Sequence, residues 1–269
     1  MSETIFEVRG VVFSYGDHPA LNALSLHIHR GERVALLGAN GSGKSTLLRV
    51  MAALAFPARG DVSFAGEPLT EARFRDDEFA FGFRRRVGFV FQNPDVQLFS
   101  PSVLDEVAFG PLQLGWPREQ IRAAVDRTLE HMGIAELKDR APHRLSGGEK
   151  KRVAIASVLV LDPEVLLLDE PAAGLDPVSQ SQIVALLSSW RGGGKTVVMA
   201  THDMDTLEEI ADRCYVLAGG AIAGEGTPLQ VLHDLPLLER TRLLRPHAHQ
   251  HDKQTVHPHP HVHRTEPEP

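Results

Sequence analysis

The short run Arg33-Val34-Ala35-Leu36-Leu37, apolar after its first residue, breaks into Gly38-Ala39-Asn40-Gly41-Ser42-Gly43-Lys44-Ser45-Thr46. A brief apolar stretch reads as a buried strand, the three glycines let the backbone turn sharply, and a helix is expected to start near Lys44. Such a unit restricts the chain to folds in which a buried strand hands over to a helix at one end of a sheet. Two further runs, Val165–Leu168 and Thr196–Ala200, are apolar without alternation, which suits a parallel sheet covered on both faces. Strands are also expected over 5–15 and 87–91, with a hairpin around Gly60–Gly66.

Between these strands the apolar period changes. Ile121, Ala124, Val125, Leu129 and Met132 recur at helical spacing behind Pro117, a residue suited to a first helical turn. A second helix is expected after Gly147, carrying Val153, Ile155, Ala156 and Leu159, and a third over 177–190 behind an Asp176 cap. The reading is an α/β domain over residues 1–244, with a helical subdomain inserted at about 95–160. Beyond it, residues 245–269 are dense in His and Pro, and a disordered, partly extended tail is expected there.

With 42% hydrophobic residues in 269, the chain has enough apolar material for a core without disulfides, and its single cysteine, Cys214, could form none internally. No export signal and no run of roughly 20 apolar residues is found, so neither secretion nor membrane spanning is expected. A formal net charge of -7 argues against nucleic acid as a partner and against direct binding to anionic lipid; any membrane association is expected to come through other proteins.

The glycine-rich stretch matches G-x-x-x-x-G-K-S, and it sits between strand and helix, where that pattern has a mechanism. Backbone N–H groups of Gly38, Ala39, Asn40, Gly41, Ser42, Gly43, Lys44, Ser45 and Thr46 can curl around phosphate oxygens. Lys44 reaches the outer phosphates and the Ser45 hydroxyl serves a magnesium ion. Asp169 and Glu170 follow the apolar run 165–168: Asp169 is a candidate ligand of Mg²⁺, and Glu170 a candidate to orient or deprotonate an attacking water. Taken singly, a glycine turn or an acidic pair at a helix start would explain each feature. Their joint occurrence indicates nucleotide-phosphate chemistry, with a P-loop GTPase or kinase still open at this point.

Leu145-Ser146-Gly147-Gly148-Glu149-Lys150-Lys151-Arg152 resembles the signature of the ABC ATPases, which P-loop kinases and GTPases lack. The resemblance covers nearly all of the chain before the tail. It implies the ABC ATPase architecture: a RecA-like P-loop NTPase core with a parallel sheet, an antiparallel β subdomain and an inserted helical subdomain. It implies further that Ser146, Gly147 and Gly148 meet ATP held by a second ATPase subunit in a head-to-tail dimer, most simply a homodimer. Gln92 resembles the family's glutamine near Mg²⁺, Asp176 the acid at the dimer seam, and His202 the histidine that contacts the γ-phosphate. Tyr15 stands where the family has its adenine-stacking aromatic, although an aromatic at a strand end is also a common core residue.

The stretch 90–99, continued over 103–111, is similar to the energy-coupling-factor importers, and within them to the cobalt/nickel ATPase. That likeness implies a transmembrane coupling protein and a membrane substrate-capture protein as partners, with the ATPase peripheral on the cytoplasmic face of the cell membrane. Import of a vitamin or other small solute is the alternative, and a soluble ABC ATPase acting on DNA or the ribosome is a more distant one. Phe74–Arg86 fits no motif. In the tail, His247, His249, His251, His257, His259, His261 and His263 are candidates for a transition metal, since imidazoles two residues apart on an extended chain lie on one side. A merely solvated tail and a purification tag are the competing readings, and the spacing does not choose among nickel, cobalt, copper and zinc.

Overall fold

The computed structural model describes residues 3–243, together with the backbone of 247–251 and 255–259. In chain order the elements are β1 (Thr4–Tyr15), β2 (His18–His29), β3 (Arg33–Leu37), α1 (Lys44–Met51), β4 (Arg59–Phe64), β5 (Glu67–Pro68), α2 (Asp77–Arg86) and β6 (Val87–Val90). There follow α3 (Val103–Gln113), α4 (Arg118–His131), α5 (Gly147–Leu159), β7 (Val165–Asp169), α6 (Pro177–Ser189) and β8 (Thr196–Thr201). The last are α7 (Leu207–Ile210), β9 (Arg213–Ala218), β10 (Ala221–Gly226), α8 (Pro228–His233), α9 (Leu235–Arg240), β11 (His247–His251) and β12 (Thr255–His259).

A six-stranded sheet in the order β10-β9-β3-β8-β7-β6 forms the centre, parallel except for the antiparallel edge pair β9/β10. Its middle strands are buried from end to end, as their unbroken apolar sequences require. Successive residues serve opposite cores. Ala35, Leu37, Leu166, Leu168, Val197 and Met199 face the side covered by α3 to α6, whereas Val34, Leu36, Val165, Leu167 and Val198 pack towards α1 and the second sheet. That second sheet, β2-β1-β4-β5, is antiparallel.

The expected helices appear at α4, α5 and α6, and Asp176 caps α6 as its position suggests, accepting from the backbone N–H groups of Val178 and Ser179. Phe74–Arg86, which matches no motif, finds its explanation in packing. Phe74 meets Phe79 and Phe83 edge-on, Phe83 meets Phe64, and Arg86 joins the Glu164 carboxylate at 2.6 Å.

Of the tail, β11 and β12 pair as an antiparallel two-stranded ribbon. His261 and His263, and the side chains of His247, His249, His251, His257 and His259, lie outside the described residues, and the expected metal-binding histidines lie there with them.

Candidate active site

Strand order brings the functional loops together. β3 lies beside β8, with Leu37 opposite Thr201, and β8 lies beside β7, with Ala200 opposite Asp169. Gly38, Glu170 and His202 therefore leave three adjacent parallel strands at one carboxyl edge, the place where open α/β sheets bind ligands.

At the first of these exits Gly38 has φ 155°. A Cβ there would collide with the Ser42 side chain and come within 2.5 Å of the Leu217 carbonyl on β9, a backbone group that cannot give way. The loop that follows turns Lys44 inward. Its side chain is 5% exposed, and its Nζ donates to the carbonyls of Gly38 at 2.7 Å and Ala39 at 3.3 Å. Burial holds the Lys44 ammonium below the usual lysine range, against the pull of Glu170 and Asp169. Ser45 donates its hydroxyl to Asp169 Oδ1 at 2.8 Å. Burial raises the Asp169 carboxyl above its ordinary value, and the Ser45 hydrogen bond opposes that rise. Ser42 Oγ is buried without a protein partner, an orphan polar atom in the phosphate-type loop.

Glu170 carries the strain of the second exit. Its φ of 48° lies in the left-handed region, uncommon for a residue with a side chain. Its N–H donates to Ala200 at 3.0 Å, which ties the residue to β8. Its carboxylate lies 3.0 Å from His202 Nδ1 and 3.7 Å from Lys44 Nζ. The buried carboxylate thus stands between a cation and an imidazole whose outer part is open to solvent.

An open cleft of about 460 Å³ lies above this group. Asn40, Gly41, Ser42, Gly43, Lys44, Ser45, Thr46, Gln92 and Glu170 line it, as does Tyr15. Tyr15 is 45% exposed, packs edge-on against Phe13, and its hydroxyl accepts from Arg49 at 3.2 Å. The placement leaves its ring at the mouth of the cleft and outside the core.

The signature residues stand elsewhere. Ser146 caps α5 in a reciprocal box with Glu149: Ser146 Oγ accepts from the Glu149 N–H and the Glu149 carboxylate accepts from the Ser146 N–H. Gly148 packs against α6, where a Cβ would collide with Ser179 Oγ and lie 2.6 Å from Ser179 Cβ. Neither Ser146, Gly147 nor Gly148 lines the Lys44 cleft. Asp176 turns its carboxylate to its own helix start, accepting from the Ser179 hydroxyl at 2.6 Å as well as from the backbone.

One residue of this region escapes sequence reasoning. Lys151 is 1% exposed, and its Nζ donates to the carbonyls of Gln92 at 2.6 Å and of Phe91 and Glu170 at 3.4 Å each. Burial pushes its ammonium down to about 8. The clue in the sequence is helical phase: Lys151 stands three residues after Gly148 and four before Ile155, on the inward face, whereas Lys150 faces out to pair with Asp95. Gln97 reinforces the same junction, accepting from the Phe91 N–H and donating to Ala154 and Ser157 on α5.

Residues 21–173 match the ABC transporter family. The chain belongs to that family. It is 58% identical over 242 residues to the nickel import ATP-binding protein NikO of Rhodobacter capsulatus, covering 89% of this chain and 95% of that protein. The energy-coupling factor transporter ATP-binding protein EcfA of Methanothermobacter thermautotrophicus is 44% identical over 245 residues, 91% of this chain and 78% of its own. Among solved structures, cbiO1 of Clostridium perfringens, described as part of the ABC transporter complex cbiONQ, superposes with a TM-score of 0.77 at 40% identity, over 90% of this chain and 95% of the other. The protein is accordingly an ABC-type ATPase that binds and hydrolyses ATP. Among its described residues no helix is long and apolar enough to cross a membrane.

Proposed function

We propose that this ATPase powers an energy-coupling-factor importer for a transition-metal ion, nickel or cobalt, and that it works as a head-to-tail dimer of ATPase subunits. The observation that carries the dimer is the incompleteness of the site in one chain. Lys44, Glu170 and His202 converge, while Ser146, Gly147 and Gly148 open a helix away from their cleft. A helix N-terminus with free N–H groups suits a γ-phosphate presented by a second copy.

In that assembly the backbone of 38–46 and Lys44 hold the phosphates, and Tyr15 stacks on adenine. Ser45 and Asp169 place two oxygen atoms 2.8 Å apart, the hard donor chemistry that Mg²⁺ takes, with Gln92 at the same cleft. Ser45, Asp169 and Gln92 would hold Mg²⁺ there, and the ion would supply positive charge against the charge that develops on the phosphates. Glu170 orients the water and accepts its proton, and His202 steadies the Glu170 carboxylate while meeting the γ-phosphate. Asp176 sits at the seam. Loss of the γ-phosphate removes the link between one copy's cleft and the other's signature helix, and the dimer opens.

A docking surface for the coupling protein supports the transport reading. Val96 and Phe99 are each about two-thirds exposed, Phe109 meets Phe99 edge-on at the surface, and Leu104 and Leu112 are exposed as well, apolar side chains that suit a covering partner. Through that protein and its membrane substrate-capture partner the ATPase would sit on the cytoplasmic face of the cell membrane. The name of the nickel import relative, and the stretch 90–111, favour a metal ion as cargo, and the EcfA relative's name favours the energy-coupling-factor type of transporter.

The test is uptake of radiolabelled nickel and cobalt by cells that express this ATPase with its membrane partners. ATP-dependent uptake abolished by Lys44→Ala is expected. Uptake of neither ion, with uptake of another solute driven by the same ATPase, would reject metal as cargo.

A further inference from the structure

We infer that His18 is a nucleotide-binding residue whose imidazole hydrogen-bonds the ribose hydroxyls of ATP, between the base at Tyr15 and the phosphates at the 38–46 loop. Nothing in its sequence setting singles it out: it is one of 14 histidines and belongs to none of the motifs around Lys44, Glu170 or Ser146. The fold brings it to the cleft.

β1 and β2 are joined by a tight turn at Gly16 and Asp17, and the register sets His18 directly opposite Tyr15. Opposed residues of an antiparallel pair share a face, with Cβ atoms about 4.5–5.5 Å apart, so the imidazole and the phenol stand side by side. Both are exposed, and both line the Lys44 cleft.

The start of β2 is tied to the phosphate loop through backbone groups. Gly220 donates its N–H to the Ser42 carbonyl at 3.1 Å, and its own carbonyl accepts from the Asn22 N–H at 2.8 Å. Gly43 lets the Ala20 carbonyl lie so close that a Cβ there would come within 2.7 Å of it. His18 precedes Ala20 by two residues, about 6–7 Å along the strand, and is thereby held at a set distance from the loop.

A nucleotide presents phosphates, a sugar and a base. The 38–46 loop offers N–H groups to the first and Tyr15 a ring face to the last, which leaves the sugar. Outside that loop the cleft is lined by Tyr15, His18, Pro19, Ala20, Gln92 and Glu170. Glu170 stands beside Lys44, and Gln92 is joined to it through the Lys151 ammonium, which places both at the phosphate end. Pro19 and Ala20 carry no polar side-chain atom, and the Tyr15 hydroxyl already accepts from Arg49 at 3.2 Å. His18 is the polar side chain that remains. A neutral imidazole donates from one ring nitrogen and accepts at the other, which matches a hydroxyl that does both.

The inference rests on the placement of ATP proposed above and is independent of the transported cargo. Its test is isothermal titration calorimetry of the full chain with ADP, 2′-deoxy-ADP and 3′-deoxy-ADP, the diphosphate serving because it leaves no γ-phosphate to hydrolyse. Wild type is compared with Tyr15→Ala, His18→Ala and His18→Gln. Wild type is expected to bind at least one deoxy nucleotide about threefold to tenfold more weakly than ADP, the value of one neutral hydrogen bond. His18→Ala should bind ADP more weakly by a similar factor and lose the discrimination. His18→Gln, which keeps a donor and an acceptor, should retain part of it. A wild type that binds all three alike, or a His18→Ala that still discriminates, would overturn the ribose contact. Tyr15→Ala separates that failure from a wider one: weakened ADP binding in this variant keeps the nucleotide where proposed, whereas unchanged binding in both alanine variants would overturn the placement as well.

Discussion

His202 Nδ1 lies 3.0 Å from Glu170 Oε2, so an imidazole at the end of β8 braces the carboxylate at the end of β7. Glu170 also occupies a left-handed backbone conformation. The two features define a carboxylate held in one position by its neighbours, which is what a group that must orient water needs.

Glu170→Gln removes the proton acceptor and leaves the Lys44 cleft intact. Turnover is expected to fall by about 10²–10⁴-fold, the usual contribution of a general base, while ATP binding and ATP-dependent dimers persist. Phosphate release together with size-exclusion chromatography in ATP reads both. Turnover at the wild-type rate would remove Glu170 from its role.

Lys151→Met leaves the carbonyls of Gln92, Phe91 and Glu170 without their shared donor. A buried acceptor stripped of its partner costs about 1–3 kcal/mol, so urea unfolding should show a loss of that order. Because two of those carbonyls belong to catalytic candidates, kcat is expected to drop more than KM rises. Unchanged kinetics in a folded variant would confine Lys151 to packing.

Gly148→Ala places a methyl group against Ser179. Overpacking of this kind costs about 1–3 kcal/mol. The informative experiment is the double variant: Ser179→Gly clears the space, and thermal stability should recover. If it does not, the obstacle lies outside the α5/α6 contact.

Glu164 governs a window of acid stability. Hydrogen bonds from Arg86, then Arg30, hold its carboxyl down at about 2, against an ordinary 4.5. A depressed carboxyl contributes stability that is complete above about pH 4.5 and is lost as pH falls towards about 2. Glu164→Gln should therefore show a shallower fall in stability over that window, read as the difference between urea midpoints of the two proteins. Parallel curves would mean that the two arginines do not bind Glu164 in solution.

Phe99→Asp charges the exposed apolar surface that Phe99 shares with Phe109. The isolated ATPase should keep its turnover, since Phe99 is 68% exposed and does not line the Lys44 cleft. Copurification with the coupling protein is expected to be lost. Retained copurification would place the docking surface elsewhere.

What could be read from sequence was local. The strand–loop–helix unit at 33–46, the unalternating runs of β7 and β8, the Asp176 cap and the helical phase of 117–132 all depend on residues within a turn or two of one another. Backbone sterics and burial act on them at that range. The α/β core with its inserted helices was legible for the same reason. β2, β9 and β10 were not anticipated, although Leu24, Leu26 and Ile28 of β2 alternate with polar residues and pair with the preceding β1; β9 takes its place from β3, far away in the chain, and β10 pairs with β9.

Tertiary structure alone decided the rest. Strand order β3-β8-β7 puts Gly38, His202 and Glu170 side by side although more than a hundred residues separate the first from the others. No local pattern encodes which strands become neighbours, since that choice follows from how the two apolar faces are covered. The same holds for Lys151, whose three carbonyl partners come from a loop and a strand end far from α5, and for the Arg30–Glu164–Arg86 group. Sequence names the chemistry because chemistry resides in side chains. Only the packed sheet determines which of those side chains meet.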